Sequence, residues 1–244
     1  MSKDKGKRVA RKAFLGATAL AASAAALAGC RDRAALRRDQ RLGRIAYPVL
    51  TPDLYDYAGM MAKIRTGNPH KQLFPATAAA VQPSTSTATL YLHMQFAMNS
   101  YQFSIPNGAK LATLGVLSGT AVVFSLNDDM WRKYSLGPRF DLADTNVYYR
   151  AVSNLDPRAA PDDLKGLYQD WSAQAVLKRG GSFMVCHHAL TYFAADCAMR
   201  RDRDQKLILD EWLKNLLPGF MIVPSGILAV QLAAENGWKI YPAG

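Results

Sequence analysis

The fold is decided by two short apolar runs, SFMVC at residues 182–186 and FMIV at residues 220–223. Turn residues precede both runs, RGG at 179–181 and LPG at 217–219. Short apolar runs bounded by such signals are typical of buried strands, and the intervening segments have the length and spacing of helices. Strands that alternate with helices over short connections predict a parallel sheet covered by helices.

Outward from these runs, the pattern continues in both directions along the chain. Helices are predicted at residues 53–64 (with Asp53 as cap), 90–103 (with Thr87 or Thr89 as cap), 120–134, 161–178, 187–199, 206–215 and 227–236. Further strands are predicted at 110–117 and 238–241, while 75–89 and most of 135–161 read as loop. The expected fold class is therefore α/β, with three layers, a mainly parallel sheet and helices on both faces.

The first thirty residues have the order of an export signal. A lysine- and arginine-rich start is followed by an alanine-rich apolar run at 14–28, which is short for a permanent membrane span. LAGC at 27–30 resembles the lipobox of bacterial lipoproteins, which implies lipidation of Cys30. RKAFL at 11–15 resembles the twin-arginine export motif with lysine in the second place. An ordinary secretory signal with an incidental Cys30, or a retained anchor helix, remains the alternative.

Three segments follow from this interpretation. Residues 1–29 are the predicted signal peptide, 30–69 a lipid-anchored basic tether with a lead-in segment, and 70–244 one α/β domain. We expect an exported lipoprotein held at a membrane surface, in the periplasm or on the cell surface. The arginine-rich stretch 31–44 either lies against anionic head groups or is a solvated spacer.

The net charge of +11 does not indicate nucleic-acid binding. Twelve of the 30 Lys/Arg and three of the 19 Asp/Glu fall in residues 1–45, which gives that segment +9. The remaining 18 and 16 leave residues 46–244 with only +2. A nearly neutral domain lacks the basic surface that binds phosphate backbones, so no nucleic-acid partner is expected.

From about Ala88 onward the chain resembles the DsrE/DsrF-like family of small α/β proteins associated with sulfur relay. The residues that carry the resemblance are FMVCHHAL at 183–190, LLPGFMIVPSG at 216–226 and GWKIY at 237–241. The well-studied members are shorter cytoplasmic proteins without a lipobox, so this chain looks like an exported branch. The resemblance implies a persulfide on Cys186, small sulfur species as ligands and a homo-oligomer.

Cys186 is the main candidate for chemistry, with His187 beside it. It falls between a strand and a helix N-terminus, at the carboxyl edge where open parallel sheets bind ligands. The partial positive charge of a helix N-terminus, and a protonated histidine nearby, favour a thiolate. The alternative is a buried cysteine that only fills space. Cys197, roughly 15 Å away along a helix, is too far for a disulfide, so both thiols are predicted to be free.

Two further candidates for ligand binding lie earlier in the chain. Ser118 and Gly119 end a predicted strand and begin a helix, so their N–H groups either cradle an anion or serve the turn alone. His93 is the only histidine suited to join Cys186 and His187 in a metal site. Adjacent histidines point about 100° apart on a helix, so a hydrogen-bonded histidine is the commoner outcome and no metal is expected.

These observations leave three hypotheses for the function. The first is a membrane-anchored protein that binds or relays reduced sulfur through Cys186, and the second is a non-catalytic envelope binding or assembly module of the same fold. The third is a small metal site at Cys186 and His187. The sequence holds no G-x-G-x-x-G, P-loop, G-x-S-x-G or H-E-x-x-H motif, and no cofactor is expected.

Overall fold

Seven strands are present in the computed structural model, which describes residues 47–243. They are β1 (Lys71–Ala76), β2 (Val81–Gln82), β3 (Thr87–Ala88), β4 (Ala112–Leu117), β5 (Ser182–Cys186), β6 (Phe220–Val223) and β7 (Lys239–Ile240). Five of them form one sheet in the order β6-β5-β4-β1-β7, in which every neighbouring pair is parallel. Strands β2 and β3 form a separate antiparallel hairpin.

Helices connect these strands. They are α1 (Tyr57–Ile64), α2 (Thr89–Phe103), α3 (Asp128–Tyr134), α4 (Leu136–Arg139), α5 (Ala173–Lys178), α6 (His187–Arg201), α7 (Gln205–Lys214) and α8 (Gly226–Glu235). Two 3-10 helices, Gly119–Ser125 and Leu167–Gln169, add to them. No helix within residues 47–243 is long and apolar enough to cross a membrane.

Alternate side chains of each strand enter different cores, because successive strand residues point to opposite faces. On one face, Leu73, Leu114 and Met184 pack with α1 and α8. On the other, Phe74, Phe183 and the helices α2, α6 and α7 form a larger core. The predicted three-layer α/β fold with a parallel sheet and helices on both faces is therefore confirmed.

The elements between residues 182 and 241 match their predictions closely. Strands β5 and β6 have the predicted bounds, and α6, α7 and α8 begin within one residue of theirs. The strand predicted at 110–117 and the helix predicted at 90–103 are also present. The N-cap of α2 is Ala88, however, and not Thr87 or Thr89 as predicted.

Two predicted helices were wrong, and one strand was missed. Residues 161–172 are turns and a 3-10 helix, because the Asp170 carboxylate accepts the N–H groups of Val152, Ser153 and Ser172 and holds the chain out of a helix. The segment 120–134 divides into a 3-10 helix and α3. Strand β1 was not predicted, since Pro75 and the following low-complexity stretch are typical of loops.

The lead-in segment before residue 70 packs with the rest of the domain. Tyr47 onward forms one compact unit, and Met60 and Ile64 of α1 are fully buried against the sheet. The indole N–H of Trp238 donates to the carbonyl of Ile64 at 2.8 Å. Asp56, and not Asp53, caps α1 by accepting the N–H of Gly59. The predicted domain start at residue 70 thus leaves out a core helix.

Candidate functional site

The connections that follow β5 and β6 leave the sheet on opposite faces. Helix α6 follows β5 and packs in the larger core, whereas α8 follows β6 and packs in the other core with α1. In open α/β sheets, such a change of direction between neighbouring strands opens a crevice at their carboxyl ends, and ligands bind there. Cys186 is the last residue of β5 and therefore lies at the carboxyl end of the strand, where such a crevice is expected.

Cys186 also caps the helix that follows it. The backbone N–H of Ala189, in the first turn of α6, donates to Cys186 Sγ at 3.3 Å. A side-chain acceptor at this position satisfies a donor that the helix leaves unpaired, and a thiolate accepts more strongly than a thiol. The residue is 6% exposed and therefore nearly buried. The expected strand-to-helix placement of Cys186 is present.

Three chain segments meet at the Cys186 side chain. A Cβ atom placed on Gly226, at the start of α8, would lie 3.0 Å from Ser118 Cβ and 3.5 Å from Cys186 Cβ. Ser118 follows β4, and its hydroxyl donates to the carbonyl of Ala76 at 3.3 Å. The carboxyl ends of β4, β5 and β6 thus bring Ser118, Cys186 and Gly226 together. Ser118 was predicted as a site residue, while Gly226 was only part of the quoted PSG motif.

The loop at Ser118 and Gly119 is engaged in backbone hydrogen bonds. The N–H groups of Ser118 and Thr120 donate to the carbonyls of Ala76 and Thr77, at 2.8 and 3.0 Å. Gly119 has a φ of +47°, and a Cβ there would lie 2.1 Å from the Thr77 carbonyl oxygen. These bonds favour the interpretation of Gly119 as a turn residue over an anion cradle.

His187 and His188 occupy different surroundings at the start of α6. His187 is buried, and its Nδ1 lies 3.4 Å from the Thr191 hydroxyl. Burial lowers the pKa of His187 from its ordinary value, and the nearby His188 lowers it further. Its side chain borders a cavity of about 450 Å³ between β6 and the segment that leads into α1. His188 packs edge-on against Tyr47, with ring centroids 5.7 Å apart. A neutral His187 beside Cys186 suits proton transfer better than charge stabilisation.

His93 lies elsewhere in the fold. Its ring packs edge-on against Tyr241, just beyond β7, with centroids 5.5 Å apart, whereas Cys186 ends β5. In the sheet order, β5 and β7 are separated by β4 and β1. The structure therefore does not bring His93 to Cys186 and His187. Among the described residues, no group of three or more His, Cys, Asp or Glu side chains is placed to hold a metal ion.

Cys197 differs from Cys186 in its environment. Both are buried free cysteines, and no disulfide joins them. Burial of Cys197 in the larger core raises its pKa to about 11, against the opposing effect of Arg139. At neutral pH this thiol is protonated and therefore a poor nucleophile.

Comparison with known proteins adds no relative at this point. No protein-family model matches the chain, and no curated protein has significant sequence similarity to it.

Proposed function

We propose that this protein is an exported DsrE-like protein, anchored to a membrane through Cys30, which binds or relays reduced sulfur at Cys186. The observation that carries the proposal is the hydrogen bond from Ala189 N–H to Cys186 Sγ at the carboxyl end of β5. The donor is an N–H group of a helix N-terminus, and such a group can also bond to the thiolate that acts as the nucleophile in sulfur transfer.

The transfer is a displacement at sulfur and involves no net oxidation. The Cys186 thiolate attacks the terminal sulfane sulfur of a persulfide or polysulfide donor. A new S–S bond forms at Cys186, the old S–S bond of the donor breaks, and the donor leaves as a thiolate that takes up a proton from water. Attack by an acceptor thiolate on the outer sulfur of the Cys186 persulfide reverses these roles and passes the sulfur on.

A matched pair of cysteine variants tests this proposal. After incubation with inorganic polysulfide, intact-protein mass spectrometry should show the mass of one added sulfur atom on the wild type and on Cys197→Ser, but not on Cys186→Ser. The reason is that Cys197, with a pKa of about 11, offers roughly a thousandth of its thiol as thiolate at pH 8. An unmodified wild type, or an adduct that persists in Cys186→Ser, would show that Cys186 is not the sulfur carrier.

A second candidate is a binding or assembly module of the same fold without sulfur chemistry. The burial of Cys186 in the larger core, at 6% exposure, favours it. Under this hypothesis polysulfide leaves the wild type unmodified, and Cys186→Ser changes only the capping of α6. The mass-spectrometric experiment therefore separates the two candidates.

The anchor has a test of its own, since Cys30 and the tether 31–44 lie outside the described residues. The mature wild-type protein is expected to begin at Cys30 and to fractionate with membranes, because LAGC at 27–30 supplies an acylation site and the arginines add attraction to anionic lipid. Cys30→Ser should give an unprocessed or soluble protein. A different mature N-terminus, or a cleaved Cys30→Ser protein that stays on membranes, would refute lipidation at Cys30.

A further inference from the structure

A second pocket lies at the opposite edge of the sheet from Cys186, where β4 and β5 begin. It has a volume of about 590 Å³, and its lining includes Met98, Leu111 and Leu167 together with Lys110, Lys178 and Arg179. Strand β5 runs for five residues from this edge to Cys186, which is about 15 Å. The pocket is therefore separate from the proposed sulfur site.

Arg179 is held in this pocket by neutral groups. Its Nη1 donates to Gln95 Oε1 and Asn99 Oδ1, both at 2.6 Å, and its Nη2 donates to Gln102 Oε1 at 3.0 Å. The three amides lie on one face of α2, at positions i, i+4 and i+7. The guanidinium carbon also sits 4.9 Å above the ring of Tyr168.

Backbone carbonyls fix the orientation of the Gln95 and Asn99 side-chain amides. Gln95 donates its amide N–H groups to the carbonyls of Leu167 and Asp170, and Asn99 donates to the carbonyl of Tyr168. Their oxygens are thus directed at Arg179. These bonds use three of the five N–H donors of the guanidinium and leave two for a ligand.

The positive charge of the pocket is not neutralised by the described part of the chain. None of the ion pairs within residues 47–243 includes Lys110, Lys178 or Arg179. The carboxylate of Asp156, near the pocket in sequence, bonds instead to Arg158. Burial without a carboxylate partner lowers the pKa of Arg179 to about 10, so the side chain is still charged at neutral pH.

We infer that this pocket binds an organic anion, with its phosphate, sulfonate or carboxylate group between Lys110, Lys178 and Arg179 and its apolar body against Met98, Leu111 and Leu167. A partly buried guanidinium held by neutral amides keeps its charge available, and its planar fork matches such an acidic group. The three apolar side chains supply the hydrophobic contact that an inorganic ion would not use.

Calorimetric titration with phenyl phosphate tests this inference. We expect saturable binding at one site on the wild type, and at least about tenfold weaker binding to Lys110→Gln/Lys178→Gln, because two charged contacts are lost. The matched control, Lys63→Gln/Lys214→Gln, removes the same charge elsewhere and should bind like the wild type. Arg179→Met, checked for folding by circular dichroism, should also lose binding.

Three results would overturn the inference. They are no binding of phenyl phosphate to the wild type, equal weakening in both double lysine variants, and inorganic phosphate or phenol binding as tightly as phenyl phosphate. Without binding to the wild type, the role of Arg179 would be to hold α2 to α5. Equal weakening in both double variants would indicate a general effect of net charge. Equally tight binding of inorganic phosphate or phenol would exclude a site for an organic anion. Cys186→Ser should bind phenyl phosphate unchanged, so failure of the sulfur proposal and failure of this one are distinguishable.

Discussion

Asp196→Asn is expected to lower the free energy of unfolding by about 3–5 kcal/mol. Asp196 lies on α6 and is 1% exposed, and its carboxylate pairs with Arg139 of α4 and with Arg200, the latter at 3.1 Å. An asparagine keeps the shape but not the charge, and therefore leaves the largely buried Arg139 without its counter-ion. The loss of a buried charge partner costs far more than the loss of an exposed one.

Chemical denaturation followed by circular dichroism measures this effect. The control is Asp210→Asn, which removes an i,i+4 pair with the exposed Lys206 and should leave the midpoint nearly unchanged. If Asp196→Asn unfolds at the same denaturant concentration as the control, the ion pairs of Asp196 do not hold α4 to α6.

Gly119→Ala is expected to destabilise the domain by about 3 kcal/mol. Part of this loss comes from the left-handed φ of +47°, which an alanine adopts at a cost. The larger part comes from the Thr77 carbonyl oxygen, 2.1 Å from the position of the new Cβ. Since backbone atoms cannot rotate away as a side chain can, the ends of β1 and β4 must separate.

Gly237→Ala separates these two causes. Its φ of +84° is also left-handed, but a Cβ there would lie 3.7 Å from the flexible Lys71 Nζ and meet nothing closer. We expect it to lose about 1 kcal/mol from backbone strain alone. Thermal or chemical unfolding of both variants measures the two losses in the free energy of unfolding. If the losses are equal, the contact between the new Cβ and the Thr77 carbonyl does not destabilise the domain. Because Ser118 adjoins Gly119, only Gly119→Ala should also slow polysulfide addition to Cys186.

The part of the fold that could be predicted from the sequence is the part in which local pattern and tertiary structure agree. β5 and β6 are apolar runs with a glycine turn before each, and their bounds were correct. β1 could not be found in this way, because its Pro75 suggests a loop. The carbonyl of Pro75 accepts the N–H of Ala243 at 3.1 Å, on the side of β1 where the short strand β7 lies. Because the N–H and the carbonyl of a strand residue point to the same side, the N–H that Pro75 lacks is missing on this side and not from the longer ladder with β4.

In the candidate sites, too, the features that depend on local sequence could be predicted, and those that depend on tertiary contacts could not. Cys186 could be placed because a strand end and a helix start are local features. The approach of Ser118 to Gly226 depends on which strands are neighbours, which the sequence does not state. From the sequence, Arg179 is only the first residue of the RGG turn, since the amides that hold it lie more than 75 residues away on α2.

The hydrogen bond between Ala189 and Cys186 has a thermodynamic consequence. The same sulfur atom that would carry cargo also completes the first turn of α6, the helix that bears Asp196 further along. A free Cys186 and a Cys186 with added sulfur would differ in how strongly the side chain accepts the Ala189 N–H. That difference would appear in the free energy of unfolding of the domain, so addition of sulfur would be linked to the folding equilibrium. If Cys186 carries sulfur as proposed, the melting temperature of the domain would therefore differ between the loaded and the unloaded protein.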